Sequence, residues 1–150
     1  MKKWLASVLA VATVSLAHAG EVDMQGWIDE QVDAGEQVMA GKGYLVAYLN
    51  YRASTGYGVD FGMEGVMDPA GKEFDDLADG IDYLIAEKGA DKDRVGMAGG
   101  SYGGYASAWF ATYYTRYVKA VCMFVGISNS ISKRGTTDIP YEELYVHSGE

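Results

Sequence analysis

Residues 94–114, RVGMAGGSYGGYASAWFATYY, contain the pattern that decides the fold of this 150-residue chain. A short apolar run enters a cluster of four glycines around Ser101, and a second apolar run follows the cluster. The first run has the length and composition of a buried strand, and the segment from Gly103 to Tyr114 is typical of a helix. The glycines therefore lie where a strand is predicted to turn sharply into a helix.

The residues Gly99-Gly100-Ser101-Tyr102-Gly103 match G-x-S-x-G, the nucleophile-elbow pattern, in the strand-to-helix context that this motif requires. Such a turn strains the serine backbone and leaves no room for side chains two residues before and after the serine, at Gly99 and Gly103. Gly104 is expected to let the helix pack closely on its strand. Ser101 is then the candidate nucleophile, and the backbone N–H of Tyr102 is the candidate oxyanion donor. A glycine turn with a purely structural role is the alternative.

Two other glycine-rich motifs do not fit this stretch. A phosphate-binding loop needs Lys and then Ser or Thr after Gly104, where this chain has Tyr105 and Ala106. The dinucleotide-binding pattern G-x-G-x-x-G cannot be aligned anywhere in GMAGGSYGG. The glycine cluster therefore favours a nucleophile over a nucleotide site.

The rest of the chain alternates between helical and strand-like segments. The strongest helix is predicted over residues 71–88, where apolar side chains recur at helical spacing before Gly89. A second helix is predicted over residues 27–41, and a third begins at Asp138 as N-cap with Pro140 in its first turn. The predicted strands are residues 44–49, 94–99 and 118–127, and residues 50–62 read as a loop. This alternation predicts an α/β fold with a parallel sheet flanked by helices.

Composition and charge exclude some classes of function. The net charge of −9 argues against a nucleic-acid partner, which needs a basic surface. Acidic residues open the helix over residues 71–88, and we interpret them as a solvated face because no histidine or turn glycine accompanies them. These residues are Glu73, Asp75, Asp76 and Asp79. No metal and no cofactor are expected. The single cysteine, Cys122, lies in an apolar run and is predicted to be buried.

Residues 1–19 have the pattern of a secretory signal peptide. Two lysines precede the apolar run WLASVLAVATVSL, and the AHA sequence at 17–19 is a small-x-small cleavage site. The run is short for a membrane span, and polar residues follow it at once. We therefore expect a periplasmic or secreted protein without stable membrane insertion after cleavage, with residues 20–150 as one domain. An uncleaved N-terminal anchor is the alternative.

Three segments in the same order resemble the catalytic domain of the prolyl oligopeptidase family of serine peptidases. They are NYRASTGYG from residue 50, GGSYGGY from residue 99 and FVGISNSISKRGTTDIPYEELYVH from residue 124. The resemblance covers about residues 24–150 and is strongest to acylaminoacyl-peptidase-like and dipeptidyl-peptidase-like members. It implies a partial α/β-hydrolase fold, an acyl-enzyme on Ser101, an oxyanion donor at Tyr102, and short peptides as substrates. It also implies that Asn50-Tyr51-Arg52 lies at the rim of the site.

The resemblance also predicts what these 150 residues lack. A serine nucleophile needs an adjacent base, and in this fold the triad runs Ser, then Asp or Glu, then His. His147 and Asp138 match neither family position, and a surface site at a helix end is expected for His147. His18 lies in the predicted signal peptide, and the family's His-Gly-Gly-Pro strand has no counterpart upstream of residue 21. We therefore expect the triad Asp and His outside this chain, little or no turnover by the chain alone, and association through unpaired sheet edges.

Two other functions stay open at this point. An esterase or lipase would use the same elbow, which does not distinguish ester from amide substrates, although NYRASTGYG and GTTDIP favour the peptidase. A non-catalytic exported module would keep the elbow only as a tight turn, and an associating partner would then supply the missing strands.

Overall fold

A computed structural model describes residues 7–12 and 37–149 of the chain. The described strands form a parallel sheet in the order β2-β1-β3-β4. They are β1 (Ser7–Ala12), β2 (Tyr44–Tyr48), β3 (Val95–Gly100) and β4 (Ala120–Phe124). The α/β class predicted from the sequence is confirmed, and the three predicted strands agree with β2, β3 and β4 to within three residues at each end.

Helices connect and flank these strands. They are α1 (Val59–Met63), α2 (Lys72–Lys88), α3 (Tyr102–Thr112), α4 (Ser130–Thr136) and α5 (Pro140–Glu142), and α5 continues as a π-helical turn over Glu143–Ser148. Residues 37–41 are also helical, and the rest of the helix predicted over residues 27–41 lies outside the described residues. The predictions for α2 and α3 are confirmed to within two residues. Within the described ranges, no helix combines the length and the apolar character that a bilayer crossing requires.

Strand β1 occupies an interior position of the sheet and pairs with β2 on one side and β3 on the other. Its register places Val8 opposite Leu45 and Val95. The strand belongs to the segment predicted to be a signal peptide, and the rest of that segment lies outside the described residues. Ser7–Ala12 thus contribute to the sheet in this structure, so the expectation that no strand precedes residue 21 is wrong. Cleavage after residue 19 and export stay predictions.

The core lies between α2, α3 and β3 and fixes the place where β3 ends. The apolar stripe predicted on α2 is buried, with Phe74 and Ile81 at 0% exposure. Met97 of β3 and Phe110 of α3 are equally buried and pack in the same cluster. Each fully buried side chain of this size contributes about 1.5–3 kcal/mol. This packing holds the end of β3 and the start of α3 together at Ser101.

Two predictions about local structure after β2 and in β4 were wrong. Residues 50–62 are not all loop, because α1 begins at Val59 after Gly58, whose φ is 96°. Cys122 is exposed, because β4 is an edge strand on which every residue is exposed. An apolar run predicts a strand, but it does not say whether a neighbour covers that strand.

The helix starts after β4 also differ from the sequence predictions. Asp138 is not an N-cap, because the helix begins at Pro140 and the preceding residue, Ile139, makes no side-chain capping hydrogen bond. Helix α4 was not predicted, since its sequence, SISKRGT, has no apolar stripe. The side chain of Asn129 caps it by accepting a hydrogen bond from the Ser132 N–H at 2.9 Å.

Candidate active site

Ser101 lies at the tip of the turn from β3 into α3. Its backbone angles are φ 53° and ψ −116°, a conformation that a residue other than glycine adopts only when its surroundings hold it there. The Ser101 N–H donates to the Phe124 carbonyl at 3.0 Å, and the Ser101 carbonyl accepts from the Tyr105 N–H at 3.0 Å. These two bonds fix the strained residue between β4 and α3 and leave its side chain exposed.

Close backbone contacts require glycine at two of the flanking positions. A Cβ on Gly99 would lie 2.5 Å from the carbonyl carbon and oxygen of Gly103, and a Cβ on Gly104 would lie 2.7 Å from the Gly126 Cα. Both distances are shorter than real Cβ contacts. On Gly100 the nearest heavy atom would be 3.7 Å away, an ordinary contact. The collision predicted at Gly99 and the close helix packing predicted at Gly104 are therefore both found, whereas Gly100 has room for a Cβ.

Ser101 opens into a cavity of about 740 Å³. The loop after β2 contributes Asn50 and Tyr51 to its wall, and the segment after β4 contributes residues as far along the chain as His147. Asn50 and Tyr51 therefore lie where the family resemblance implied. Arg52 is absent from the wall of this cavity and faces a different neighbour.

The Arg52 side chain forms an ion pair with Asp76 of α2. The guanidinium donates to the Asp76 carboxylate at 2.8 and 2.5 Å, and the Arg52 backbone N–H donates to it at 2.9 Å. The hydrogen bonds from Arg52 hold the pKa of Asp76 below its usual value. The pair anchors the loop after β2 on α2, and Asp76 is half-buried, so it does not belong to a solvated acidic face.

Glu73 was also wrongly predicted to be solvated. It lies in the first turn of α2, is only 2% exposed, and contributes to the wall of the Ser101 cavity. Its Oε1 accepts a hydrogen bond from the Tyr102 hydroxyl at 2.8 Å. Its Oε2 and the Tyr51 hydroxyl are buried and have no hydrogen-bond partner among the described residues. The sequence gives no signal for the Glu73–Tyr102 contact, since 29 residues separate its partners.

The environment of Glu73 keeps two phenols neutral. Burial raises the pKa of Tyr51 to about 12, and the negative charge of Glu73 adds to this shift. Burial, the charge of Glu73 and the hydrogen bond to it raise the pKa of Tyr102 further. Tyr102 is therefore a hydrogen-bond donor to Glu73 over the whole physiological pH range.

An ionic cluster of Lys133, Glu143 and His147 borders the cavity, and Lys133 and His147 contribute to its wall. The Glu143 Oε2 lies 2.9 Å from the Lys133 Nζ and 3.1 Å from the His147 Nδ1. Burial opposes ionisation of Glu143, but hydrogen bonds from His147 and Lys133 outweigh it and lower the pKa of this carboxyl. The His147 ring packs against the Tyr102 ring at 5.5 Å, so the surface position predicted for His147 is wrong. Among the hydrogen bonds within residues 37–149, none joins His147 to Ser101.

A sequence model of the prolyl oligopeptidase family matches residues 30–150. The chain belongs to this family. The family resemblance and the partial α/β-hydrolase fold that it implied are confirmed. The chain that carries the Ser101 elbow thus belongs to a family of serine peptidases, and it has a strand before the elbow and a helix after it.

Individual relatives agree with this assignment. The chain is 42% identical over 106 residues to the uncharacterized peptidase YuxL of Bacillus subtilis, a match that covers 70% of this chain and 16% of that protein. It is 36% identical over 121 residues to dipeptidyl aminopeptidase BIII of Pseudoxanthomonas mexicana, covering 79% of this chain and 17% of the relative. The acylaminoacyl peptidase of Pyrococcus horikoshii matches in structure with a TM-score of 0.76 at 29% identity, over 97% of this chain and 23% of its own. The chain thus spans about a sixth of the curated relatives named here.

Proposed function

We propose that this chain carries the nucleophile of a serine peptidase of the prolyl oligopeptidase type, which hydrolyses short peptides through an acyl-enzyme on Ser101. The observation that carries the proposal is the strained Ser101 at a strand-to-helix turn, exposed at a cavity of about 740 Å³. Strained residues cluster at functional sites, and a nucleophile elbow holds its serine in such a conformation so that the hydroxyl is exposed.

The chemistry follows from this placement. The Ser101 Oγ attacks the scissile carbonyl carbon, and a base takes the hydroxyl proton as the new C–O bond forms. The carbonyl oxygen becomes an oxyanion, which the Tyr102 N–H stabilises. Collapse of this intermediate breaks the C–N bond, and the leaving amine takes the proton from the base. Water then hydrolyses the acyl-enzyme by the same route.

The cavity and the names of the relatives both favour short peptides as substrates. A volume of about 740 Å³ lies in the range of sites that enclose a small ligand, which suits a short peptide better than a folded protein. The relatives bear the names dipeptidyl aminopeptidase and acylamino-acid-releasing enzyme, and both names describe cleavage near a peptide amino terminus. We extend peptide hydrolysis to this chain on the strength of the shared family.

The general base and its acid partner are proposed to come from outside these 150 residues. His147 is engaged by Glu143, and no hydrogen bond within residues 37–149 joins it to Ser101. Without a base, the oxyanion donors and binding alone still give a residual acceleration of about 10³–10⁴ over water in related triad enzymes. Slow, site-selective acylation or phosphonylation of Ser101 is therefore the expected behaviour of this chain.

Covalent labelling tests the proposal. The chain is incubated with a fluorophosphonate, and the modified residue is located by mass spectrometry over a long time course. We expect slow labelling at Ser101, no labelling at that site in Ser101→Ala, and unchanged labelling in Ser130→Ala, which removes an exposed serine elsewhere. Equal labelling of the wild type and Ser101→Ala would show that the elbow serine has no special reactivity.

A further inference from the structure

The buried carboxylate of Glu73 has a contact that a packing role does not require. Within residues 37–149 its side chain makes one hydrogen bond, from the Tyr102 hydroxyl at 2.8 Å, and it forms no ion pair. Burial of a carboxylate without a cation is unfavourable, and an apolar side chain would fill the same space without that penalty. We therefore infer that the role of the carboxylate is its hydrogen bond with the Tyr102 hydroxyl.

Tyr102 is held at both of its ends. Its phenol oxygen donates to Glu73 and accepts from the Ala70 N–H at 3.3 Å, so two hydrogen bonds fix the tip of the side chain. Its ring packs against Phe74 at 5.7 Å and against His147 at 5.5 Å. Its backbone N–H follows the strained Ser101 directly. The residue thus runs from an anchored phenol to the amide that directly follows Ser101 in the chain.

We propose that Glu73 is a positioning residue for the oxyanion site, which it serves by anchoring the Tyr102 side chain and thereby fixing the Tyr102 backbone N–H beside Ser101. This inference rests on the proposed function, because an oxyanion forms only if Ser101 attacks a carbonyl or phosphonyl centre. Oxyanion donors act by being fixed in advance at the distance that the charged oxygen requires. Residues in strained conformations also depend on their neighbours to hold them.

A second carboxylate–tyrosine pair in this structure provides a matched control. The Tyr114 hydroxyl, just past the end of α3, donates to Asp75 of α2, so this pair joins the same two helical segments far along α3 from Ser101. Tyr114→Phe removes one hydroxyl and its hydrogen bond to α2, whereas Tyr102→Phe removes the bond to Glu73 and also the bond from the Ala70 N–H. Tyr114→Phe therefore shows what the loss of a tyrosine–carboxylate bond between these segments does when it lies far from Ser101.

The experiment measures the second-order rate constant for fluorophosphonate labelling of Ser101 in the full 150-residue chain, well below the melting temperature of each variant. Loss of a whole oxyanion donor lowers rates by about 10²–10³, and we expect loosening one to lower the rate by about tenfold. Tyr102→Phe and Glu73→Leu should each show this loss, and the double variant should show no more than either alone. Glu73→Gln keeps a hydrogen-bond acceptor for the phenol, so its labelling rate should stay within about threefold of the wild-type rate. Tyr114→Phe should also label within about threefold of the wild-type rate.

Each result decides between the alternatives. A Tyr102→Phe variant that melts at a lower temperature but labels at the wild-type rate overturns the positioning role and leaves a purely structural contact. Independent losses that multiply in the double variant overturn the link between Glu73 and Tyr102. If Glu73→Leu does not fold, Tyr102→Phe and Glu73→Gln decide the question, because both conserve the packing. A wild-type chain with no selective labelling at Ser101 contradicts the proposed function itself, whereas selective labelling with unchanged variants contradicts only the role of Glu73.

Discussion

Alanine at Gly99 should destabilise the fold and alanine at Gly100 should not, although the two residues are adjacent on β3. A Cβ on Gly99 would lie 2.5 Å from two backbone atoms of Gly103, whereas a Cβ on Gly100 would have no heavy atom closer than 3.7 Å. Since ordinary contacts begin near 3.4 Å, the turn would have to open by about 1 Å in Gly99→Ala. The new Cβ is fixed to the backbone of residue 99 and would collide with backbone atoms of Gly103, so no side-chain rotation relieves the contact.

The size of the difference follows from two opposing terms. Overpacking of this kind destabilises a protein by about 1–3 kcal/mol, and here the upper half of that range applies because only backbone can move. Replacing a strand glycine by alanine stabilises by about 0.5–1 kcal/mol through the unfolded state. Gly99→Ala should therefore lower the free energy of unfolding by about 1–2 kcal/mol, and Gly100→Ala should leave it unchanged or raise it by up to about 1 kcal/mol.

Urea unfolding followed by far-ultraviolet circular dichroism measures both variants against the wild type. We expect a gap of about 2 kcal/mol between the two alanine variants, with similar dependence on denaturant concentration. If the two variants unfold within about 0.5 kcal/mol of each other, a spread usual for substitutions without a specific effect, then the close approach to Gly103 is not the reason for glycine at position 99. Steric exclusion of a Cβ would then not explain the glycine at the start of the elbow turn.

Two further predictions concern Asp76 and Cys122. Because Arg52 holds the pKa of Asp76 below its usual value, the stabilisation from this pair is present above about pH 4 and is lost as the pH falls through the lowered pKa. Asp76→Asn should therefore lower the free energy of unfolding at pH 7 by about 1–2 kcal/mol, and the gap should narrow as the pH falls through the lowered pKa of Asp76. A gap independent of pH contradicts the ion-pair interpretation. Cys122 is exposed, so a thiol reagent such as DTNB should modify it in the folded chain almost as fast as in urea; strong protection in the native state would show that another surface covers β4.

The sequence predicts those parts of the structure that depend on neighbours along the chain. The apolar stripe of α2 and the strand-turn-helix around Ser101 are local patterns, and both lie where they were predicted. The start of α4 also had a local signal that was missed, since the side chain of Asn129 caps the Ser132 N–H three residues on. The exposure of Cys122 depends on what packs beside β4, which no local pattern records.

The candidate site shows the same division. The position of Ser101 follows from the glycines that surround it, and the close contacts at Gly99 and Gly104 give the physical reason for two of them. The burial of Glu73 could not be predicted, because a helix N-terminus favours an acidic residue whether or not a tyrosine from a distant segment reaches it. Long-range contacts of this kind decide which acidic residues face solvent and which are buried beside the cavity.

The position of β1 matters for the predicted cleavage after residue 19, because this strand lies within the segment that cleavage would remove. Strands β2 and β3 do not bond to each other, because β1 lies between them, and two strand spacings separate them by about 9–10 Å. If the predicted cleavage after residue 19 takes place, it removes this middle strand and leaves β2 and β3 without the strand that joins them. The four-stranded sheet and the processed chain are therefore alternatives, because only a chain that keeps residues 7–12 can form the sheet described here.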